Sequence, residues 1–338
     1  MTFNPATLLN LLERLRGRRI VVLGDLVVDE FVYGDVARTS REVAFGLVLR
    51  QREVVRLPGG GANAINNLVA LGARPIPFGF LGADEAGRHL RRTLRRRGVD
   101  VRGLRTLPGW TTPVKARILA GSPHAAAQQV LRLDREEVHP APAAAQRRLV
   151  AAARKALATA EAVLVCDYGY GAATPAVLRQ VFRRRGRLPV VVDSRYQVRA
   201  YRGFTAATPS VPELEEAYHR QIGSDAPPLA RWGTRLLQEI RGRAILLTRG
   251  RQGMLLLERG HRPLVIPAFG SEQVVDVTGA GDTVAAAFTA ALAAGANFAE
   301  AARLANVAAG LVVTKRGTAT ASAAELREAL RRAPSPRA

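Results

Sequence analysis

Val275-Asp276-Val277-Thr278-Gly279-Ala280-Gly281-Asp282-Thr283, followed at once by Val284-Ala285-Ala286-Ala287, decides how the rest of the chain is read. Two glycines flank one small residue, a carboxylate comes next, and an Ala-rich helical run begins there. N–H groups at a helix start lack intrahelical partners and attract anions. Glycines let a phosphate come close to that backbone. Asp282 then stands at the rim, where it can accept a proton from an attacking hydroxyl. The arrangement suits transfer of a phosphoryl group.

Working outward, short continuous apolar runs alternate with helical patterns. Ile20-Val21-Val22-Leu23, Ala162 to Val165, Val190-Val191-Val192 and Ile245-Leu246-Leu247 suit parallel strands buried on both faces. Helical spacing marks Ala62 to Leu71, Glu85 to Arg97, Ala143 to Ala158, Pro175 to Arg185 and Leu229 to Ile240, then Asp282 to Ala294, Phe298 to Thr314 and Ala323 to Arg332. The order predicts an α/β fold with a central, mostly parallel sheet. Two segments break the rhythm. Val43 to Leu57 has no helical period, and Pro113 to Asp134 reads as a hairpin turning near Gly121-Ser122-Pro123. We expect them to form a small second sheet covering one end of a single domain of residues 1–330, with lid strands at about 35–57 and 110–134 and a tail over 331–338. Exposed strands with alternating apolar residues pair readily, so a homodimer through this sheet is expected.

Composition narrows the function. The single cysteine, Cys166, excludes an internal disulfide and a cysteine-based zinc cluster, and its apolar run predicts a buried thiol. The N-terminus reads as a short amphipathic helix, and the longest apolar stretch, Val284 to Ala296, is too short to span a bilayer. A cytoplasmic protein without membrane attachment is expected. The net charge, 50 − 28 = +22, raises the question of nucleic acid. The densest basic run, Arg88, Arg91, Arg92, Arg95, Arg96 and Arg97, has the spacing of a solvated helix face, with Leu90 and Leu94 on another. No aromatics interleave for base stacking, so no specific nucleic-acid partner is expected.

Further candidates sit at strand ends, where α/β proteins place ligands. Gly24-Asp25-Leu26-Val27-Val28-Asp29 follows the first strand, and its two carboxylates suit sugar hydroxyls or serve as turn and cap residues. In Pro58-Gly59-Gly60-Gly61-Ala62-Asn63 three glycines permit close approach of a polyhydroxyl ligand, or form a hinge, and Asn63 offers both donor and acceptor. Asp167-Tyr168-Gly169 and Asp193-Ser194-Arg195 end two more strands. Glu213 is placed either near a hydrated metal or in an ordinary acidic first turn. Thr248-Arg249-Gly250-Arg251-Gln252-Gly253 joins two strands and reads as a nucleotide-phosphate contact or a hairpin, and Asn306 lies in an apolar helix.

Together these residues resemble the ribokinase-like (PfkB) carbohydrate kinase family, from about Gly17 to about Leu330. The resemblance rests on Asp276 to Thr283 and on Gly59-Gly60-Gly61-x-Asn63. Within the family the chain is most similar to the D-glycero-β-D-manno-heptose 7-phosphate kinases of lipopolysaccharide precursor synthesis. That similarity is carried by Gly24 to Gly34, Arg38 with Ser40 and Glu42, Thr112-Pro113-Val114-Lys115-Ala116-Arg117, Leu131-Arg132-Leu133-Asp134, Asp167-Tyr168 and Gly317-Thr318. Many such enzymes are fused to a nucleotidyltransferase; adenylyl transfer is not expected of this chain.

The resemblance implies a ribokinase-like three-layer fold and ATP-dependent phosphorylation at the sugar 1-hydroxyl, with Mg²⁺. Asp282 would be the general base, and Gly279, Ala280 and Gly281 the anion hole. Asp25, Asp29, Gly60, Asn63, Lys115, Arg117, Asp167 and Arg195 would meet the sugar or its phosphate. Thr248, Gly250, Gly253, Thr278 and Asn306 would line the nucleotide site, with Glu213 near the metal. Asp276 and Thr278 are candidates for holding a monovalent cation. Three positions depart from the pattern: Ser210-Val211-Pro212-Glu213 replaces Asn-x-x-Glu, Tyr170 replaces a Lys, and Asp193-Ser194-Arg195 replaces Asp-Pro-Lys, retaining a cation at Arg195. The alternatives are a kinase for ribose, fructose or a ketodeoxy acid, and a catalytically silent sugar or nucleotide sensor.

Overall fold

The structure, a computed structural model, describes residues 4–41, 46–121, 127–138, 140–182, 188–270 and 273–332. The turn expected at Ser122-Pro123, Glu42 of the resemblance and the tail past Arg332 lie outside them. The elements run α1 (Pro5–Arg14), β1 (Arg19–Gly24), β2 (Leu26–Thr39), β3 (Leu47–Gly60), α2 (Gly61–Ala70), β4 (Arg74–Gly82), α3 (Glu85–Arg96), β5 (Leu104–Leu107), β6 (Val114–Gly121), β7 (Gln128–Arg135), α4 (Ala143–Leu157), β8 (Ala162–Asp167) and α5 (Pro175–Val181). They continue with β9 (Val190–Ser194), β10 (Ala206–Ala207), α6 (Val211–Tyr218), α7 (Ala226–Glu239), β11 (Ala244–Thr248), β12 (Met254–Glu258), β13 (Leu264–Ile266), α8 (Ala280–Ala293), α9 (Phe298–Val312) and α10 (Ala323–Arg332).

Nine strands form the main sheet in the order β13-β12-β11-β10-β9-β8-β1-β4-β5. From β11 to β5 every pairing is parallel; β12 and β13 are antiparallel to their neighbours. The strand sequences explain the three layers. Ile20, Val22, Leu164 and Leu246 point to a core shared with α1, α2, α3, α8, α9 and α10. Val21, Leu23, Val163, Ile245 and Leu247, one residue out of phase, point to a second core under α4, α5, α6 and α7. A continuous β-branched run fills both cores, because successive side chains take opposite faces. Cys166 is fully buried in β8. No helix among the described residues is long and apolar enough to cross a membrane.

The small sheet has the order β3-β2-β6-β7. It takes in all of Leu26–Thr39, which the sequence reading had placed only in part as strand, so β2 follows β1 with Asp25 alone between them. The pairing registers sort its two faces. Leu57, Asp29, Lys115 and Asp134 form one cross-strand row, and Val55, Phe31, Arg117 and Arg132 the next row on the same face. The opposite face carries the rows Arg56, Glu30, Ala116, Leu133 and Val54, Val32, Ile118, Leu131. There Val54, Leu131 and Leu133 are 37%, 59% and 53% exposed, around a Glu30 held by Arg56 at 2.6 Å and Arg135 at 3.0 Å.

Candidate active site

The start of α8 meets the carboxyl ends of β1, β8 and β9. Gly279 is its N-cap, in the left-handed region at φ 77°. A Cβ at this position would stand 2.4 Å from Asn63 Nδ2, so both backbone and space require glycine. At Gly281 a Cβ would meet nothing within 4 Å. The space over this glycine is open, as an approaching anion needs. No side chain caps the helix.

Asp282 is 4% exposed in the first turn of α8. Asn63 donates its Nδ2–H to Oδ2 at 2.9 Å, and the Tyr168 hydroxyl donates to Oδ1. Burial pushes the Asp282 pKa up to about 7, against the lowering effects of Tyr168 and Asn63. A carboxylate poised near neutrality, held on both oxygens, is suited to accept a proton from a hydroxyl.

Three residues expected to face a sugar also have partners within the protein. Asp25 is 2% exposed, and its oxygens accept the backbone N–H groups of Tyr168, Tyr170 and Ala172, each at 2.9 Å. Burial, reinforced by Asp167, nonetheless pushes its pKa up to about 7. Asp167 accepts from Tyr201 at 2.7 Å, Ser194 at 2.9 Å and Gly169 N–H at 3.0 Å. Asn63 spends Nδ2 on Asp282 and on the Gly279 carbonyl at 3.2 Å, and its Oδ1 accepts from Asn67 at 3.1 Å. The loop after β8 brings backbone N–H groups to Asp25 and Asp167, Ser194 and Tyr201 add hydroxyls to Asp167, and Asn63 links α2 to the start of α8.

The inner face of the small sheet supplies the other polar groups. Arg117 donates to Asp29, and its guanidinium lies 5.4 Å from the Phe31 ring centre. Gly59 faces Asp29, whose Oδ2 would be 2.1 Å from a Cβ there. Lys115 is 8% exposed, with Nζ 5.2 Å from the Tyr168 ring centre and 6.0 Å from that of Tyr170. Burial first, then Arg195 and Arg132, lower its pKa. Those cations therefore share one neighbourhood. Tyr170 donates its hydroxyl to Glu136, and Arg195 is exposed just after β9. Gly60, at φ 52°, brings the backbone against the Tyr168 ring, 3.2 Å from a would-be Cβ.

Beside the start of α8 lies a cavity of about 790 Å³. Thr248, Gly250, Gly253 and Asn306 line it together with Ala280 and Gly281, so residues from three distant segments converge. Asn306 donates to the Pro267 carbonyl at 2.8 Å. Thr278 is not in the lining; its N–H donates to Asp276 Oδ1 at 2.9 Å, while Gly317 N–H donates to Asp276 Oδ2 at 2.9 Å. The Asp276 carboxylate is thus engaged with protein N–H groups.

Among the described residues no three His, Cys, Asp or Glu side chains converge as a metal site. Two carboxylates do approach one another. Burial, then Glu213 and Asp282, push the Asp193 pKa well up, and burial raises that of Glu213. Glu213 also closes a capping box at the start of α6, accepting Ser210 N–H at 2.7 Å. Asp193 and Tyr168, quoted among the strand-end residues, carry no assigned role in the sequence analysis. Their signal was position, the last residue of β9 but one and the first after β8.

Residues 19–325 match the pfkB family carbohydrate kinase family. The bifunctional protein HldE of Geobacter sulfurreducens is 41% identical over 309 residues, covering 90% of this chain and 61% of that protein. HldE of Azotobacter vinelandii is 41% identical over 315 residues, covering 93% and 64%. The chain thus spans about three-fifths of the length of these relatives. Among solved structures, Arabidopsis thaliana ribokinase complexed with ribose and ATP superposes with a TM-score of 0.71 at 19% identity, covering 94% of this chain and 100% of that one. Phosphofructokinase-2 from Escherichia coli, in complex with substrates and products, gives 0.73 at 16% identity, covering 93% and 98%. The fold is ribokinase-like.

Proposed function

The chain belongs to the pfkB family of carbohydrate kinases, and from that premise we propose that it transfers the γ-phosphoryl group of ATP to the 1-hydroxyl of D-glycero-β-D-manno-heptose 7-phosphate. The observation that carries the reading is Asp282, a buried carboxylate with a pKa of about 7 at the open, glycine-bounded start of α8. The relationship to HldE and the heptose-kinase-like residues of the sequence support the acceptor. So does the cluster of Lys115, Arg132 and Arg195, which suits a sugar that already bears a phosphate.

In this mechanism ATP occupies the cavity between Thr248, Gly253 and Asn306, with its phosphates toward Ala280 and Gly281. The sugar lies against the inner face of the small sheet, near Asp29 and Lys115. Its hydroxyl attacks the γ-phosphorus in line, and Asp282 takes the hydroxyl proton. The N–H groups at the start of α8 stabilise charge on the transferring group. The carboxylates of Asp193 and Glu213 repel one another and so fit a nearby Mg²⁺, which would offset phosphate charge. The small sheet acts as a lid that excludes water, the competing acceptor. Its exposed Val54, Leu131 and Leu133 would be covered by the same face of a second copy, in a homodimer. A cytoplasmic location follows from the nucleotide donor.

The test is coupled ADP release with Mg-ATP against a panel containing the heptose 7-phosphate, ribose, fructose and a ketodeoxy acid. Turnover of the heptose phosphate is expected, with Asp282→Asn lowering kcat by roughly 10²–10⁴-fold. Lys115→Ala should raise KM for the sugar phosphate and leave that for ATP unchanged. Turnover of a neutral sugar alone would replace the acceptor; near-normal turnover by Asp282→Asn would remove the base.

A further inference from the structure

The basic run on α3 divides in the structure. Arg91 and Arg95 turn to a cavity of about 830 Å³ at the β5 edge of the main sheet, where Arg102, Arg105 and Arg148 join them from three other segments. Among the described residues no carboxylate lines this cavity. Arg91 is built in: its Nη2–H groups donate to the Leu104 carbonyl and Thr106 Oγ1, both at 2.9 Å. Burial, and the neighbouring Arg95, lower its pKa. Arg102 pairs with Asp100 at 2.6 Å. Arg95, Arg105 and Arg148 have no ion pair or hydrogen bond from their side chains to any described residue. Ala144 and Ala145, in the first turn of α4, line the same cavity, and that turn has neither an acidic residue nor a side-chain cap.

Arg91 and Arg95 repel one another, Arg105 and Arg148 bring further positive charge to the same cavity, and an anion between them removes that cost. The cavity is lined by arginines from α3, β5 and α4, and its volume accommodates a ligand larger than a monovalent ion. We propose that this cavity binds a small compound carrying two or more phosphate groups, such as an oligophosphate or a bisphosphate. It shares no residue with the nucleotide cavity, which lies beside β11 and β12 toward the opposite edge of the sheet.

Inorganic tripolyphosphate is the probe, titrated calorimetrically in about 150 mM salt, where long-range attraction to a basic protein is screened, with ADP saturating the nucleotide cavity. One saturable site is expected. Arg95→Glu/Arg148→Glu should weaken it by at least about tenfold. Arg96→Glu/Arg97→Glu makes the same change in net charge at the end of α3, outside the cavity lining, and should leave affinity within about threefold. Arg95→Gln/Arg148→Gln, without charge reversal, should also weaken binding. Circular dichroism reports that each variant is folded. Absence of a saturable site, equal loss in both glutamate pairs, or loss only on Lys115→Ala would each overturn the proposal.

Discussion

Replacing Tyr168 by Phe removes one hydroxyl and nothing else from the environment of Asp282. That hydroxyl donates to Oδ1, and Asn63 holds Oδ2 at 2.9 Å. Both bonds favour the ionised carboxylate, while burial opposes it, and the balance stands at about 7. A hydrogen bond to a charged group contributes about 1.5–3 kcal/mol, or roughly 1–2 pH units at about 1.36 kcal/mol per unit. The direction is fixed: loss of a donor to the charged form raises the pKa. If Asp282 must be ionised to accept the proton, the acid limb of kcat/KM moves to higher pH by that amount. At pH 7 the ionised fraction, and with it kcat/KM, falls roughly 5- to 50-fold, and most of the activity returns near pH 9. The assay is ADP release from about pH 5.5 to 9.5 on both proteins. A limb that stays in place while kcat falls at every pH would show that Tyr168 acts by packing alone, and would refute the coupling.

Four further outcomes are expected. Asp25→Asn leaves three N–H donors facing one acceptor oxygen, which should lower unfolding free energy by about 1–3 kcal/mol in urea; an unchanged midpoint would contradict the clamp. Gly279→Ala should lose both stability and turnover, because of its φ of 77° and the 2.4 Å approach to Asn63, whereas Gly281→Ala should keep the wild-type Tm and lose activity only. Asp25 and Asp282 are protonated more readily folded than unfolded, so their contribution is fully present below about pH 4 and lost as pH rises through about 7; Tm scans should show that decline, made shallower by Asp282→Asn. Leu133→Asp should convert a dimer to a monomer by light scattering, and a wild type already monomeric at micromolar concentration would refute the interface.

The main sheet was legible because its strands must fill two cores at once, which leaves uninterrupted β-branched runs such as Ile20 to Leu23. The start of α8 was legible because open glycines before an acidic residue have few other uses. Strand β2 was not read as one piece: its first half is buried like a core strand and its second half is exposed, so no single period runs through Leu26–Thr39. The protein partners of Asp25, Asn63 and Asp167 were hidden for another reason. A polar side chain at a strand end looks the same in sequence whether a sugar or a backbone N–H will meet it. The paths of the loop after β8, of β9 and of the start of α8 bring those partners in, and they come from residues far apart in the chain. The arginine cavity was masked likewise, since helical spacing shows a basic face but not which part of it folds toward β5.

The pairing of β2 with β6 has a consequence for how the molecule assembles. β2 and β3 are neighbours in the chain and can meet early, but Asp29 finds Lys115 only after α2, β4, α3 and β5 have been threaded between them. Closing so long a loop is slow, and it gains nothing until the far strand arrives. During refolding, then, helical signal should recover ahead of turnover, with a late phase set by docking of β6 and β7 onto a nearly finished body. A refolding chain would pass through an interval in which the start of α8 is in place and the wall opposite it is missing.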